Sequence, residues 1–185
     1  MELKGEEVIN AAKEKVWEAL NDPNILKKCI AGCSEVVRTQ ENDFEMIMIA
    51  KIGPVKAKFK GQLKLDNLNP PDSYTITFNG TGGVAGFGKG KAAVNLIDKG
   101  EDTQLTYDAT ASVGGKLAQV GSRLIDGVAK KMATDFFEKF NKEISGKTSE
   151  PLLSPSEKIR DSNWIFWSFT ITALTLLLVA TIMGS

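Results

Sequence analysis

The sequence contains no histidine and only two cysteines among its 185 residues. Without histidine there is no Ser–His–Asp or Cys–His nucleophile, no imidazole acid or base and no His-ligated metal. Two cysteines cannot complete a tetrahedral zinc site without outside ligands, and they are too few for a disulfide framework. We therefore predict neither a catalytic set of residues nor a metal site.

Net charge is also absent, because 23 Lys and Arg residues balance 23 Asp and Glu residues. A nucleic-acid binder normally carries a basic surplus, so we expect no nucleic-acid partner. Residues 1–7 are polar and lack the apolar core of a signal peptide, so no cleavable leader is expected. Glycine, by contrast, is abundant, with 17 residues, which predicts tight turns or close backbone approaches.

Charged residues are missing from residues 164–183, an apolar run near the C-terminus. At about 1.5 Å per residue a helix of this length reaches roughly 30 Å, the thickness of the hydrocarbon core of a bilayer. Trp164 and Trp167 lie at its near end, where indole rings favour the membrane–water boundary. A buried core helix is the alternative, but such a helix should carry a polar stripe, and the scattered Ser and Thr residues are too mildly polar to form one.

The segment before this run contains the basic residues Lys158 and Arg160, whereas nothing basic follows the run. The positive-inside rule then predicts a tail anchor that crosses the cell membrane once and keeps the preceding part of the chain in the cytoplasm. Residues 145–163 are rich in Ser, Pro, Lys and Glu, which is typical of a flexible linker. We thus predict a folded domain over 1–144, a linker over 145–163 and a transmembrane anchor over 164–183.

The first 144 residues alternate between helix and strand signals in an order that predicts an α+β domain. A strand over 2–10 precedes a helix capped by Asn10, and Asp22 and Pro23 begin a second short helix that ends at Ala31 and Gly32. Strands follow over 34–39 and 44–52, and a strict alternation of apolar and polar residues predicts a half-buried strand over 55–66. Further alternation predicts antiparallel strands around 74–78, 92–96 and 105–113.

A long amphipathic helix is predicted from Gly115 to Ile144, since Val120, Leu124, Val128 and later apolar residues recur every four positions. A bent antiparallel sheet wrapped around one long helix buries this stripe. A curved sheet cannot contact a straight helix along its whole length, so we expect an apolar cavity suited to a lipophilic ligand. The predicted lining is Leu26, Ile30, Met46, Met48, Phe59, Phe78, Phe87, Tyr107, Leu124, Val128 and Met132, with mouth loops at Ala31, Gly32, Cys33, Gly83 and Gly86.

The glycine-rich segment 80–90 contains the spacing of a phosphate-binding loop, G-x-x-x-x-G-K, over 83–89. Gly90 replaces the Ser or Thr that would hold Mg²⁺, and a strand is predicted where a helix should begin. A flexible hairpin at the cavity mouth, with Phe87 as its gate, is favoured over phosphate binding. A purely structural hairpin stays an open alternative.

Three other groups of residues, namely the cysteines, a row of lysines and the methionines, each allow two interpretations. Cys29 and Cys33 are expected to be free thiols in a reducing cytoplasm rather than metal ligands. Lys56, Lys58, Lys60 and Lys64 share one strand face, which is either a solvated surface or a docking surface for anionic lipid or an acidic partner. The methionines Met46, Met48 and Met132 fill the core or line the cavity.

Six stretches of the sequence resemble the CoxG family of carbon monoxide dehydrogenase subunits. They are VWxALNDP at 16–23, CIAGC at 29–33, GPVKAxFxG at 53–61, GxAGFxKG at 83–90, TxLxY at 103–107 and GGKLAQxGSRLI at 114–125. The resemblance covers roughly residues 1–144 in a consistent order. One departure is Ala31, where the family usually has proline, so this loop is expected to be less rigid.

The resemblance implies a START-like or Bet v 1-like helix-grip fold and a non-catalytic accessory protein of molybdenum-containing carbon monoxide dehydrogenase or a related molybdenum hydroxylase. It further implies recruitment of that enzyme to the membrane and binding of a respiratory quinone such as menaquinone or ubiquinone, with no tightly bound cofactor. Two alternatives stay open: a recruitment or maturation scaffold whose cavity is filled by side chains, and a helix-grip cyclase or dehydratase. The enzyme alternative lacks an evident pair of carboxylates among the predicted inward-facing residues.

Overall fold

The computed structural model describes residues 1–145, which form one antiparallel sheet of seven strands and three α-helices. The predicted linker beyond residue 145 and the predicted membrane span, with Lys158, Arg160, Trp164 and Trp167, lie outside the described residues. Within residues 1–145 no helix is both long and apolar enough to cross a membrane. The elements are β1 (Glu2–Ile9), α1 (Lys13–Leu20), α2 (Pro23–Cys29), β2 (Cys33–Gln40), β3 (Asp43–Ile52), β4 (Val55–Asn69), β5 (Ser73–Thr81), β6 (Phe87–Lys99), β7 (Asp102–Gly114) and α3 (Ser122–Ser145).

The sheet has the strand order β1-β7-β6-β5-β4-β3-β2, so every strand after the first pairs with its neighbour in sequence and β1 closes on β7. This is the predicted α+β architecture of a curved antiparallel sheet and a C-terminal helix. The register pairs Met46 with Gly61 and Met48 with Phe59. Because Phe59 and Gly61 belong to the apolar face of β4, the even-numbered residues of β3 face inward, a point that the sequence left open.

The first two helices begin in different ways. Asp22 caps α2 as predicted: its carboxylate accepts a hydrogen bond from the backbone N–H of Asn24, and Pro23 occupies the first turn. The predicted cap at Asn10 is wrong, because α1 begins at Lys13 after Ala12 and has no side-chain cap. The backbone N–H of Asn10 instead donates to Asn141 Oδ1 at 3.0 Å, a bond that ties β1 to the C-terminal part of α3.

The predicted single helix from Gly115 to Ile144 is also wrong in its first turns. Gly115–Val120 form a short 3₁₀ helix, and Gly121 adopts a φ of +91°, which ends that segment before α3 starts at Ser122. An α-helix cannot pass through a residue with positive φ, so the predicted helix divides there. The 24 residues of α3 span about 36 Å.

The core lies where α1, α2 and the C-terminal part of α3 meet the sheet. Its fully buried side chains include Ile9, Val16, Leu105 and Phe140. Along α3 the buried residues are Ile125, Phe140 and Ile144, whereas Val128, Met132 and Phe136 between them are only partly buried. The middle of α3 therefore faces open space rather than a filled core.

Candidate functional site

A cavity of about 200 Å³, here called the inner cavity, lies between the sheet and the helices α2 and α3. Inward-facing residues of β2 to β7 supply most of its wall, because the curved sheet turns these side chains toward α3. Its lining comprises Leu20, Leu26, Ile30, Val36, Phe44, Met46, Leu63, Leu65, Tyr74, Ile76, Val94, Leu105, Phe136 and Phe137.

Tyr74 is the single residue with a polar side chain in this lining. Its ring is buried and packs edge-on against the indole of Trp17, with ring centroids 5.3 Å apart. Burial alone raises the pKa of the Tyr74 hydroxyl above its ordinary range, and within residues 1–145 no hydrogen bond to that hydroxyl accompanies the shift. The inner cavity therefore combines an apolar wall with one neutral hydroxyl.

A second space of about 300 Å³, the outer cavity, continues from the inner one toward the open end of the sheet. The two cavities share Met46 and Leu63, which stand at the junction between them. The outer cavity is lined by Met46, Met48, Ala50, Ile52, Phe59, Gly61, Gln62, Leu63, Phe78, Asn79, Gly80, Gly88, Val113, Leu117 and Met132. No carboxylate lines either cavity, so the lining offers no acid–base pair for catalysis.

A groove of about 380 Å³ between β3 and α3 opens to the surface beside the outer cavity. It shares Met48, Ala50 and Met132 with that cavity. The groove also contains charged residues, Lys51, Arg123, Lys131 and Asp135, around apolar Leu124 and Val128. Inner cavity, outer cavity and groove are thus three adjoining, mainly apolar spaces that share wall residues, here called the apolar path; Gln62 and Asn79 are the polar members of the outer lining, and charged residues line the groove.

Most of the predicted lining residues lie along this path. Leu26, Ile30 and Met46 line the inner cavity; Met46, Met48, Phe59, Phe78 and Met132 line the outer cavity; and Met48, Leu124, Val128 and Met132 line the groove with Ala31 and Gly32. The space between sheet and helix is therefore not filled by side chains, which was the premise of the scaffold alternative.

Phe87 does not lie on the path. It is one position from Gly88, which lines the outer cavity, so its side chain projects from the opposite face of β6 and is 48% exposed. Its ring covers Gly114, where an added Cβ would collide with it. The predicted gate at Phe87 is thus placed outside the cavity by the alternation of the strand.

Tyr107 faces inward as expected but stands behind the inner cavity rather than in its lining. Its ring stacks on Phe137 with centroids 5.4 Å apart, and it covers Gly5 of β1, where a side chain would collide with it. Burial and the nearby Glu7 raise the pKa of Tyr107. Tyr107 therefore supports a wall residue, Phe137, instead of contacting the cavity itself.

The remaining predicted mouth residues are separate from the path. The Cys33 thiol donates to the backbone carbonyl of Glu35 at 3.3 Å, and Gly83 and Gly86 bound a short 3₁₀ turn. A strand follows that turn where a phosphate-binding loop would need a helix. Two glycines of the segment accommodate aromatic rings of the outer cavity: Phe59 lies against Gly82, and Phe78 lies against Gly90.

Both cysteines are free thiols, and Cys29 is fully buried, with its pKa raised to about 11 mainly by that burial. No group of three or more Cys, Asp and Glu residues in the described part of the chain is arranged to hold a metal ion. The predicted lysine row is exposed, since Lys56, Lys58, Lys60 and Lys64 all project from the outer face of β4.

The lining also contains residues that the sequence patterns had not assigned to the site. Phe136 and Phe137 of α3 face the inner cavity together with Leu63, Leu65 and Ile76 of the sheet. The alternation of β4 and β5 and the four-residue spacing along α3 pointed to these positions. Both signals mark a buried face, but neither distinguishes a residue that borders a cavity from one packed in the core.

Comparison with known proteins gives one family match. The model of the CoxG family of carbon monoxide dehydrogenase subunits matches residues 5–145. No curated protein matches the chain at a significant level.

Solved structures with similar folds are numerous. A conserved protein from Geobacillus kaustophilus is 37% identical, with a TM-score of 0.74; the match covers 79% of this chain and 96% of that one. That crystallised relative consists almost wholly of the matched span, so the relative folds without a counterpart of the remaining residues of this chain. A START superfamily protein from Mycobacterium smegmatis is 10% identical, with a TM-score of 0.61 and coverage of 78% and 97%. The Zhui aromatase/cyclase from Streptomyces sp. R1128 is 12% identical, with a TM-score of 0.57 and coverage of 78% and 93%. At these low identities the last two show the START-like fold alone.

Proposed function

Because the chain belongs to the CoxG family, a family of accessory subunits of carbon monoxide dehydrogenase, we propose that it binds a lipophilic ligand and brings a molybdenum-containing carbon monoxide dehydrogenase or a related hydroxylase to the membrane. In this proposal the protein is not itself an enzyme. It holds a respiratory quinone such as menaquinone or ubiquinone, reversibly and without a tightly bound cofactor, where the partner enzyme can pass electrons to it.

The observation that carries the proposal is the series of adjoining apolar spaces with one hydroxyl near its inner end. A respiratory quinone has a ring with carbonyl oxygens and a long isoprenoid tail. The ring fits the inner cavity, where the neutral hydroxyl of Tyr74 can donate a hydrogen bond to a carbonyl. The tail would extend past Met46 and Leu63 into the outer cavity and along the groove.

Residues 164–183 supply the membrane part of the proposal. As a single-pass tail anchor, with Trp164 and Trp167 at the interface and Lys158 and Arg160 on the cytoplasmic side, they would hold the domain beside its lipid reservoir. Tethering raises the effective concentration of the domain at the bilayer, which favours exchange of ligand with the lipid.

The direct test of ligand binding is mass spectrometry of organic extracts from the detergent-purified full-length chain. We expect a quinone in the extract, and less of it from a Leu63→Trp variant, because Leu63 stands at the junction of the two cavities. Lys64→Trp is the matched control, since the adjacent side chain projects from the other face of β4. Extracts without any quinone or other lipid, together with failure to bind added quinone, would rule out the carrier role.

Recruitment is tested separately, by measuring how carbon monoxide dehydrogenase activity divides between membrane and soluble fractions of the cells. We expect the activity to move to the soluble fraction when the chain is shortened to residues 1–146, the compact unit that lacks the predicted anchor. Unchanged membrane association of the enzyme would contradict recruitment by this chain while leaving ligand binding intact.

A further inference from the structure

Although the net charge is zero, basic and acidic residues are unevenly distributed within the folded domain. The stretches 46–61, 78–97 and 109–125 contain eight basic residues and no acidic one: Lys51, Lys56, Lys58, Lys60, Lys89, Lys91, Lys116 and Arg123. Many of the balancing acids lie at the other end of the sheet: Glu41, Asp72 and Glu101 occur in the loops that join strands there, and Asp98 is near the end of β6.

These three basic stretches meet at one end of the domain. They contain the β3–β4 turn, the β5–β6 turn and the 3₁₀ connection from β7 to α3, which lie at the same end because the strands alternate in direction. We call this end the mouth pole, since the groove and the outer cavity are lined there by Ala50, Leu117, Leu124 and Gly88. The ligand path therefore opens at the basic end of the domain.

Large apolar side chains are exposed at the mouth pole. Val84, in the β5–β6 turn, is 86% exposed, and Phe87 stands beside it. Ile49, at the groove, is 50% exposed, and Leu124 contributes a further exposed apolar surface there. Exposed apolar residues within a surface dominated by basic side chains, where Asp135 of the groove is paired with Lys131, match a bilayer with anionic headgroups, which offers a negative surface above an apolar interior.

We propose that the mouth pole docks on an anionic lipid bilayer, with the β5–β6 turn inserted at the headgroup level, so that the ligand path opens into the membrane. The lysines of β4 and β6 face the headgroups, and Val84 supplies the apolar contact. The purpose of this orientation, which is to let a ligand enter from the lipid, rests on the proposed function. Docking itself requires no ligand. It also explains why the lysine row lies on the strand that walls the outer cavity.

The test uses residues 1–146, which lack the predicted anchor, in flotation with phosphatidylcholine vesicles that contain or lack phosphatidylglycerol. We expect binding to the anionic vesicles only, with loss of binding at high salt, because exposed charges are screened. Lys56→Glu with Lys58→Glu should weaken vesicle binding by about tenfold or more. Lys15→Glu with Lys99→Glu, the same charge change away from the mouth pole, is the control and should weaken binding far less.

A second pair of variants isolates the apolar contact. Val84→Asp should weaken binding without disturbing the fold, because its side chain is almost fully exposed. Ile97→Asp, near the other end of β6, is the control and should leave binding unchanged. Failure of the fragment to float with anionic vesicles would overturn the proposal. So would an equal loss of binding in a variant and its control, either for the two lysine double variants or for Val84→Asp and Ile97→Asp. Binding of the same lysines to the partner enzyme alone, and not to vesicles, would also overturn it. Docking without any extractable ligand would instead support this proposal and contradict the carrier function.

Discussion

Met46 of β3 lies opposite Gly61 of β4, and its Cγ is 2.9 Å from the position that a Cβ atom at residue 61 would occupy. Since Met46 lines both the inner and the outer cavity, this contact sets the width of the junction between them. Methionine is unbranched and adaptable, and glycine leaves it room to move. Under the proposed function, this pair is the point at which a ligand would pass from one cavity to the other.

Replacing Gly61 with valine should narrow this junction. We expect the extracted ligand to fall severalfold per molecule of protein, because Met46 must move into the path of the ligand. Folding stability should fall by about 1–3 kcal/mol, since Met46 Cγ lies near the backbone end of its side chain and must shift to admit the valine. Mass spectrometry of extracts and urea unfolding measure the two effects.

The matched control for Gly61→Val is Thr75→Val, which introduces the same side chain on the outer face of the neighbouring strand β5. It should leave ligand content unchanged. Equal ligand content in both variants would mean that the path does not run past Gly61.

Tyr74→Phe should separate the two roles of the inner cavity. The Tyr74 hydroxyl faces the inner cavity and makes no hydrogen bond within residues 1–145, so its removal should change the free energy of unfolding of the ligand-free domain by less than about 1 kcal/mol. The same change should weaken binding of a quinone by roughly tenfold while leaving a hydrocarbon of similar size unaffected. Titrations with both compounds test this, and an equal loss for both would contradict a hydrogen bond to the quinone.

Thr103→Val should destabilise the fold without touching the cavities. Thr103 is completely buried, and its hydroxyl donates to the backbone carbonyl of Ala11 at 2.7 Å. Valine leaves that carbonyl without its partner, which costs about 1–3 kcal/mol. Urea unfolding measures the loss, and Thr106→Val on the outer face of the same strand should change stability by less than about 0.5 kcal/mol.

Burial of Cys29 predicts a loss of stability in alkali. The folded state holds its pKa at about 11 against an ordinary value of 9.0. Between these values the unfolded chain has released the thiol proton and the folded chain has not, so the free energy of unfolding should fall as pH rises from 9 to 11. Comparison with Cys29→Ala cancels other titrating groups; parallel pH profiles for the two proteins would contradict the prediction.

Much of the sheet could be predicted from alternation alone. The strict apolar–polar pattern of β4 predicted which residues face inward, and Phe59 and Leu63, which line the outer cavity, both belong to that face. The same pattern in β6 contained the information that corrects Phe87: Ala92 and Val94 face inward, so counting back in twos brings Gly88 to the inner face and Phe87 to the outer one. Glycines obscure this count because they provide no apolar signal.

The groove depends on contacts that no local pattern encodes. The carbonyl of Gly32 accepts a hydrogen bond from the backbone N–H of Ile49 at 2.9 Å, which joins the α2–β2 loop to β3 and forms one wall of the groove. Likewise, Tyr107 was correctly predicted to face inward, but its place behind Phe137 depends on the absence of a side chain at Gly5 of β1. Such tertiary approaches become visible only when the strands are assembled.

The two glycines at the start of α3 show why a helix boundary can be missed in an otherwise regular apolar pattern. Gly121 has φ +91° and ψ 143°, a conformation nearly restricted to glycine, whereas Gly127 lies inside the helix, and a Cβ at either residue would meet open space. The same change should therefore have opposite effects. Gly121→Ala should lower the free energy of unfolding by about 1–3 kcal/mol through backbone strain, and Gly127→Ala should raise it by about 1 kcal/mol through helix propensity. Urea unfolding of both variants tests the break: stabilisation by alanine at both positions would mean that the helix runs unbroken through Gly121.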